Sequence, residues 1–252
     1  MSDAGSARIL DDVAAEGRRL AVSAENQELP LRLLGGVAVW CQCPSARVPP
    51  LARIYGDADF LGRSGDRKRI AAFMDSEGYE ADRMFNALHG ATRLNFHDPV
   101  RGRPLDVLLD RFVMAHELDL RDSASADGLT ISLADLLLTK LQVVSINDKD
   151  VRDLLALLLD HGFGPEEISM ERILDATRND WGLEHTAHLS LVTLRELIGG
   201  VELAAQDAER ILARADELDT ALRAAPKGAK WKMRARLGER VRWYEEPEEA
   251  RT

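Results

Sequence analysis

The chain has 252 residues, 45% of them hydrophobic, and a formal net charge of −10. The length suits one large domain or two small ones with a buried core, and the negative charge argues against a broadly basic nucleic-acid surface. No apolar run reaches the length of a membrane span, and we expect no signal peptide. Cys41 and Cys43 stand too close together for a structural disulfide and are too few for a structural zinc site, so we expect a reducing cytoplasm.

The first part of the chain is predicted to contain both helices and strands. Residues 7–27 have the period of an amphipathic helix, and residues 31–43, LRLLGGVAVWCQC, predict a strand, a Gly-Gly turn and a short helix. Three prolines make residues 44–50 a loop. The β-forming residues of RIYGDADFLG (53–62) predict a second strand, and residues 66–79 predict a further helix.

The remainder begins with a predicted hairpin and then becomes helical. Residues 91–112 alternate around a turn that contains Pro99 and Gly102, and a polar loop follows over residues 121–128. Helices are expected over residues 133–144, 148–160, 166–177, 183–198, 202–224 and 229–243. Strands followed by helices predict an α+β fold, with a mixed sheet flanked by helices over residues 1–125 and an α-helical domain over residues 126–252.

Three aspartates and a pair of glycines form the most informative pattern. Asp57 and Asp59 are placed inside the predicted second strand, where residues two apart share a face, and Asp106 lies on a strand that can join the same sheet. Gly35 and Gly36 stand where a strand gives way to a helix, so the backbone can approach a phosphate. Three carboxylates on one sheet face suit hard divalent cations, and two Mg²⁺ ions there can clamp the oxygens of a phosphoryl displacement.

These elements, LLGGVA (33–38), GDADFL (56–61) and PLDVLL (104–109), resemble the motifs of the polymerase-β-like nucleotidyltransferase superfamily. The helical segment ISLADLLLTKLQVVSINDKDVRDLLALL (131–158) makes the chain look most like the abortive-infection-toxin type and the small antibiotic-modifying nucleotidyltransferases. The resemblance implies a nucleotidyltransferase-like catalytic domain followed by a helical domain on the acceptor or partner side. It implies a cleft between them that binds the donor and the acceptor.

The chain departs from the family pattern at two places within this resemblance. Residues 37–56 form a longer connection between the glycines and the first aspartate, and the predicted loop over residues 44–50 accounts for the surplus. Gly36 stands where other members have serine, which removes a hydroxyl donor to phosphate. The glycine form also occurs in the toxin-like branch, so the resemblance is retained.

The resemblance implies a role for each residue of the motifs. Asp57, Asp59 and Asp106 would ligate two Mg²⁺ ions, and Asp106 would also act as general base. Gly35 and Gly36 would cradle the phosphates of a nucleoside triphosphate such as ATP. The implied reaction moves a nucleoside monophosphate to a hydroxyl of tRNA, a protein or a small molecule and releases pyrophosphate. A toxin-type enzyme would also have an antitoxin-type protein partner.

Lys140 lies within the apolar stripe of a predicted helix. Such a lysine either extends outward to water or points into a site that holds an anion. The resemblance implies that Lys140 touches a phosphate and that Asp150 or Asp153 holds Lys140 or the acceptor. The charge preference of a helix N-terminus is an alternative explanation for both aspartates. For the whole chain, the alternative to an enzyme is a catalytically inactive protein that binds a nucleotide or a partner.

The segment over residues 227–244 is locally basic in an acidic chain. Its pattern predicts an apolar stripe and a basic ridge beside it, formed by Met233, Leu237, Val241 and Tyr244 and by Lys232, Arg236 and Arg240. One interpretation is a contact with the phosphate backbone of an RNA acceptor, with Trp231 and Trp243 available for stacking. The preferred interpretation is a packed terminal helix whose basic face pairs with acids, among them Glu245, Glu246, Glu248 and Glu249.

Overall fold

The computed structural model describes residues 9–245 and divides the chain into two compact units. Among the described residues, the first unit comprises 9–42, 54–112 and 119–132, and the second comprises 43–53, 113–118 and 133–245. The predicted α+β fold is confirmed, since a mixed sheet with flanking helices forms the first unit and the second is mainly helical. The domain boundary expected between residues 125 and 126 stays a prediction.

A five-stranded sheet with the order β1-β2-β5-β4-β3 forms the centre of the first unit. Its strands are β1 (Leu31–Leu34), β2 (Ala58–Gly62), β3 (Glu80–Ala81), β4 (Arg93–His97) and β5 (Pro104–Leu109). Strands β2 and β5 pair in parallel, and the other neighbours pair antiparallel. Strands β4 and β5 are the predicted hairpin, and in β5 Leu105, Val107 and Leu109 are buried while Asp106 and Leu108 are half-buried.

Five helices accompany this sheet, namely α1 (Val13–Asn26), α2 (Gly35–Gln42), α3 (Arg67–Ser76), α4 (Arg83–His89) and α5 (Arg121–Ser125). Helix α1 packs on one sheet face, where a Cβ added to Gly17 would lie 3.2 Å from Leu33 and 3.4 Å from Ala58. The strand, glycine turn and helix predicted over residues 31–43 are present as β1 and α2, and α3 confirms the helix predicted after β2.

Several predicted boundaries differ from the structure. Helix α1 begins at Val13 because Asp12 caps it, accepting a hydrogen bond from the N–H of Ala15 at 2.7 Å. The part of the predicted first helix at residues 7 and 8 lies outside the described residues. Helix α5 forms within the predicted polar loop, and β3 and α4 were not predicted because they are short.

The second predicted strand is shorter than its sequence pattern indicates. Strand β2 begins at Ala58, so the placement of Asp57 inside the strand is wrong, whereas Asp59 lies in it. The reason is the length of the partners: β1 pairs only as far as Asp59, and the pairing with β5 starts at Ala58. The β-propensity of Ile54 and Tyr55 therefore does not extend the strand, and Ile54 is 91% exposed.

The second unit is built mainly from helices. These are α6 (Leu133–Leu141), α7 (Asp148–Asp160), α8 (Met170–Thr177), α9 (Trp181–Leu197), α10 (Ala205–Ala224) and α11 (Ala229–Ala235). All six were predicted, and α11 ends earlier than expected, with Gly238 in the left-handed region at φ +54° soon after it. Two short strands, β6 (Arg111–Val113) and β7 (Glu117–Asp119), form a separate two-stranded sheet. They precede α5 in the sequence.

The core of the second unit comes from the apolar faces of its helices, with Leu154, Leu158, Leu191 and Leu218 fully buried. In α10, Ile211, Ala215, Leu218 and Leu222 confirm the inward half of the predicted stripe. None of the helices within residues 9–245 combines the length and the apolar character needed to cross a bilayer.

Candidate functional site

Four neighbouring strands place a row of residues on the sheet face opposite α1. The register pairs Leu34 with Asp59, Asp59 with Asp106, and Asp106 with Asn95. Register-paired residues of adjacent strands point to the same face, and the strands lie roughly 4.8 Å apart. The structure therefore brings Asp59 and Asp106 together, both half-buried. We call Asp59, Asp106, Asn95 and their surroundings on this side of the sheet the carboxylate face.

The glycine bend lies directly against Asp59. Gly35 follows β1 with φ +68°, a conformation that glycine adopts without steric cost. A Cβ at this position would lie 2.8 Å from Oδ2 of Asp59, so a larger residue would collide with the carboxylate. Helix α2 begins here, and Gly36 belongs to its first turn, where backbone N–H groups lack partners within the helix. The bend thus combines a carboxylate with a helix N-terminus.

Asp57 is placed differently from the other two predicted metal ligands. It is exposed, and it precedes β2 in an irregular segment after Gly56. Within residues 9–245, no group of three or more His, Cys, Asp and Glu side chains is close enough together to hold a metal ion. Strand pairing brings Asp59 and Asp106 together, and metal ligation by Asp57, Asp59 and Asp106 stays a prediction.

Arg93, to which sequence analysis assigned no role, makes a bidentate contact with Asp106. Its Nε and Nη2 donate hydrogen bonds to Oδ1 and Oδ2 at 3.0 and 2.6 Å, and Nδ2 of Asn95 donates to Oδ1 at 2.9 Å. The hydrogen bonds from Asp106, aided by the charges of Asp106 and Asp59, raise the pKa of Arg93 although burial lowers it. One arginine thus balances part of the negative charge of the carboxylate face.

A signal for Arg93 and Asn95 was present in the sequence. The two residues are two positions apart on the first strand of the predicted hairpin, so they share a face. Pairing the two strands of the hairpin in the observed register places Asn95 beside Asp106. The turn alone does not determine this alignment, because residues 98–103 form a connection longer than a tight two-residue hairpin.

The carboxylate face fits a divalent cation in part. Carboxylate oxygens are the ligands that Mg²⁺ prefers. Asp59 is the second residue of β2, and Asp57 directly precedes this strand. A carboxylate offers about four acceptor positions. Arg93 and Asn95 already occupy three of those of Asp106. Asp106 is therefore held by a cation of the chain itself.

Lys140 belongs to a buried ion cluster inside the second unit. Its Nζ lies 2.8 Å from Asp153 and 3.4 Å from Asp150, and Arg53 donates to Asp153 at 3.0 and 2.8 Å. The side chains of Lys140 and Asp153 are 12% and 2% exposed. Burial lowers the pKa of Lys140, but the charges of Asp153 and Asp150 outweigh it and the pKa is raised. Lys140 therefore does not extend to water, and we call these four residues the Lys140 cluster.

The predicted loop over residues 44–50 is attached to α7 inside the second unit. Both the N–H and the Oγ of Ser45 donate to Asp160, at 2.9 and 2.8 Å. The guanidinium of Arg152 donates to the carbonyl oxygen of Pro50. Arg53, three residues further along the chain, donates to the carboxylate of Asp153. Burial and the nearby acids Asp160 and Asp153 raise the pKa of the Cys43 thiol well above its usual range. The segment is therefore an integral part of the helical unit, which its composition did not indicate.

The basic C-terminal segment packs through its tryptophans. Nε1 of Trp243 donates to Thr186 at 3.0 Å, and its ring lies 6.2 Å from that of Trp181. Lys227 lies 5.1 Å from the ring centre of Trp231. The predicted apolar stripe is not the packed side, because Met233, Leu237 and Val241 are 67%, 49% and 51% exposed. The pairing expected with Glu246, Glu248 and Glu249 lies outside the described residues.

Comparison with known proteins gives structural similarities only. No protein-family model and no curated protein sequence matches the chain. A lincosamide antibiotic adenylyltransferase, LnuA in its lincomycin-bound form, is 13% identical over 54% of this chain and 89% of its own, with a TM-score of 0.38. The antibiotic-resistance factor ANT(2'')-Ia is 13% identical over 83% of this chain and 93% of its own, with a TM-score of 0.34.

A third similar structure is an antigenic nucleotidyltransferase-like protein from Paracoccidioides brasiliensis. It is 13% identical over 87% of this chain and 95% of its own, with a TM-score of 0.41. All three are named as adenylyl- or nucleotidyltransferase-like proteins or as an antibiotic-resistance factor. At this identity and these TM-scores, the similarity by itself establishes neither family membership nor function.

Proposed function

We propose that the chain is a nucleotidyltransferase that moves a nucleoside monophosphate from a nucleoside triphosphate to a hydroxyl acceptor. The observation that carries this proposal is the register pairing of Asp59 with Asp106, with Asp59 in contact with the Gly35 bend. This arrangement places oxygen ligands for a cation beside the N–H groups of a helix N-terminus, which suit phosphate. The sequence resemblance to the polymerase-β-like superfamily supports the same function.

Each residue of the site has a role in this proposal. Asp57, Asp59 and Asp106 would hold Mg²⁺, which would supply charge neutralisation and alignment of the triphosphate. Gly35 and Gly36 bring the backbone of α2 close to the phosphates. Asp106, oriented by Arg93 and Asn95, accepts the proton of the acceptor hydroxyl. Lys140 as a phosphate contact remains a prediction, and in the structure its charge is shared by Asp150 and Asp153.

The proposed reaction is an in-line displacement at the α-phosphorus. The acceptor oxygen forms a bond to the α-phosphorus, and the bond from that phosphorus to the oxygen bridging to the β-phosphate breaks. The bonding electron pair leaves with pyrophosphate, and the acceptor proton passes to Asp106. Fixed orientation of the two reacting groups contributes much of the rate in such a site. The acceptor is a hydroxyl of tRNA, a protein or a small molecule.

A transfer assay with matched variants tests the proposal. The chain is incubated with Mg²⁺ and radiolabelled ATP, CTP, GTP or UTP in the presence of total RNA or small aminoglycosides. We expect labelled acceptor with the unaltered chain and none with Asp57→Asn or Asp59→Asn, whose melting temperatures should stay nearly unchanged. Transfer that persists in either variant would contradict the assignment of these residues.

One observation favours a second candidate, a protein that binds nucleotide or a partner without catalysis. The bidentate pair with Arg93 engages both oxygens of Asp106, the residue to which the proposal gives the proton. Calorimetry with each triphosphate and Mg²⁺ separates the two candidates, because binding without labelled product supports the inactive protein. A toxin-type enzyme would in addition be inhibited by a specific antitoxin-type protein, which a co-expression assay detects.

A further inference from the structure

The fork between Arg93 and Asp106 is asymmetric in its exposure. The side chain of Asp106 is 14% exposed, whereas that of Arg93 is 43% exposed. The arginine is therefore the partner that is more open to water, and its release from the carboxylate would bury no further charge. Asp106 has a second donor besides Arg93, because Nδ2 of Asn95 donates to its Oδ1 at 2.9 Å.

Arg93 also offsets a repulsion that the sheet imposes. Like charges directly opposite each other on neighbouring strands destabilise the pairing, and Asp59 stands opposite Asp106. Arg93 is the cation that contacts Asp106 in the part of the chain that the structure describes, and the charge of Asp59 acts on it as well. A divalent cation placed between Asp59 and Asp106 would relieve the same repulsion.

The guanidinium and such a cation require the same oxygens. Three of about four acceptor positions of Asp106 are used by Arg93 and Asn95. Two positive charges at one carboxylate also repel each other in a half-buried site. The ring centre of Phe85 lies 5.6 Å from the Arg93 guanidinium carbon, within the range of a cation–π contact.

We propose that Arg93 is a built-in counter-cation that competes with a divalent cation for Asp106. Arg93 is a positioning residue, because it acts through Asp106 and keeps this carboxylate oriented while no metal is bound. The proposal rests on the proposed function only for the location of the metal, and it concerns binding and not transfer. It predicts that the chain binds a divalent cation more weakly with the arginine than without it.

The experiment is a Mn²⁺ titration of the full chain without nucleotide, followed by electron paramagnetic resonance of the free ion. Arg93→Gln is expected to bind Mn²⁺ about 10-fold more tightly, which corresponds to the loss of a competing charge-assisted hydrogen-bond pair. Arg121→Gln is the matched control, since it removes an exposed arginine of the same unit that pairs with Asp119, and its affinity should equal that of the unaltered chain. In an Asp106→Asn background, Arg93→Gln should bring no gain.

A second variant covers the case in which Arg93→Gln does not fold, as judged by circular dichroism. Arg93→Lys keeps the charge but lacks the fork, so it should bind Mn²⁺ about threefold more tightly. Unchanged or weaker binding in the folded variants, or no Mn²⁺ binding by any of them, would overturn the proposal. If Arg93→Gln binds Mn²⁺ more tightly but the unaltered chain shows no nucleotidyl transfer, the role of Arg93 stands and the proposed function is refuted. If the unaltered chain shows transfer but Arg93→Gln does not bind Mn²⁺ more tightly, the role of Arg93 is refuted and the proposed function stands.

Discussion

The carboxylate face of the first unit and the Lys140 cluster of the second unit use the same residue types in opposite ways. In the cluster, Lys140 and Arg53 surround Asp153, which is 2% exposed, and the side chain of Asp150 is 15% exposed. On the carboxylate face, Asp59 and Asp106 are half-buried, and Arg93 pairs with Asp106. A buried cluster whose charges are mutually compensated organises a fold, whereas adjacent carboxylates on a half-buried face can accept a ligand.

The largest expected effect separates activity from stability on the carboxylate face. Asp59→Asn should lower nucleotidyl transfer by about 10³-fold or more, to below detection, because it removes a charge that acts on the metal and the phosphates. The free energy of unfolding should change by less than ~0.5 kcal/mol, since this side chain is half-buried on an open face. Asp75→Asn, on the exposed side of α3, makes the same change of charge and should alter neither quantity. Equal loss in both variants would contradict the site.

The second effect reverses this pattern in the Lys140 cluster. Asp153→Ala leaves Lys140 and Arg53 without their shared carboxylate, and removing one partner of a buried pair costs about 3–4 kcal/mol. Urea denaturation measures the loss. Asp150→Ala removes only a contact of 3.4 Å at a more exposed residue and should cost about 1 kcal/mol. Comparable losses in the two variants would show that the cluster does not distribute its charges as the structure indicates.

A smaller effect is expected at the glycine bend. Gly35→Ala places a Cβ 2.8 Å from Asp59 in a backbone with φ +68°, so it should lose about 2 kcal/mol of stability from strain and collision together. Gly102→Ala is the control, because its φ is +66° and a Cβ there would meet nothing within 4 Å. It should lose about 1 kcal/mol from strain alone. The difference between the two losses of unfolding free energy measures the contact with Asp59. Equal losses would show that this contact does not contribute.

The smallest effect concerns an exposed pair outside both regions. The hydrogen bond from Arg121 lowers the pKa of Asp119 to about 2. A carboxyl whose folded-state pKa is lowered stabilises the fold above its unfolded value of about 3.9, and this contribution is lost as the pH falls toward 2. Because the pair is largely exposed, the free energy of unfolding of the unaltered chain should exceed that of Asp119→Asn by less than ~1 kcal/mol at pH 7. Unfolding curves between pH 2 and 7 should converge at the acid end.

Much of the fold followed from local sequence patterns. The helical period of residues 148–160 predicted α7 at its observed bounds, and the glycines after Leu34 predicted the change from β1 to α2. The hairpin of β4 and β5 followed from alternation around a turn. Strand β2 was predicted too long, because the β-propensity of the sequence extends N-terminal to Ala58, where the pairing with β5 begins.

The acidic residues of the candidate site were predicted from the sequence, whereas the arginines that pair with acids in the structure were not. Asp59, Asp106 and Gly35 were identified from spacing and resemblance, and the structure places them together. Arg93 and Arg53 were not, since an arginine in a charged sequence carries no local signal of its partner. Arg53 and Asp153 are 100 residues apart in the chain.

By itself the sequence determined the longer helices, strands β1, β4 and β5 and the face on which Asp59 and Asp106 lie, because hydrophobic period and glycine conformation act over a few residues. Only the tertiary structure decided which cations meet these carboxylates and that Asp57 falls outside the strand. Those outcomes depend on strand register and on packing between distant segments, where a shift of one residue sends a side chain to the other face.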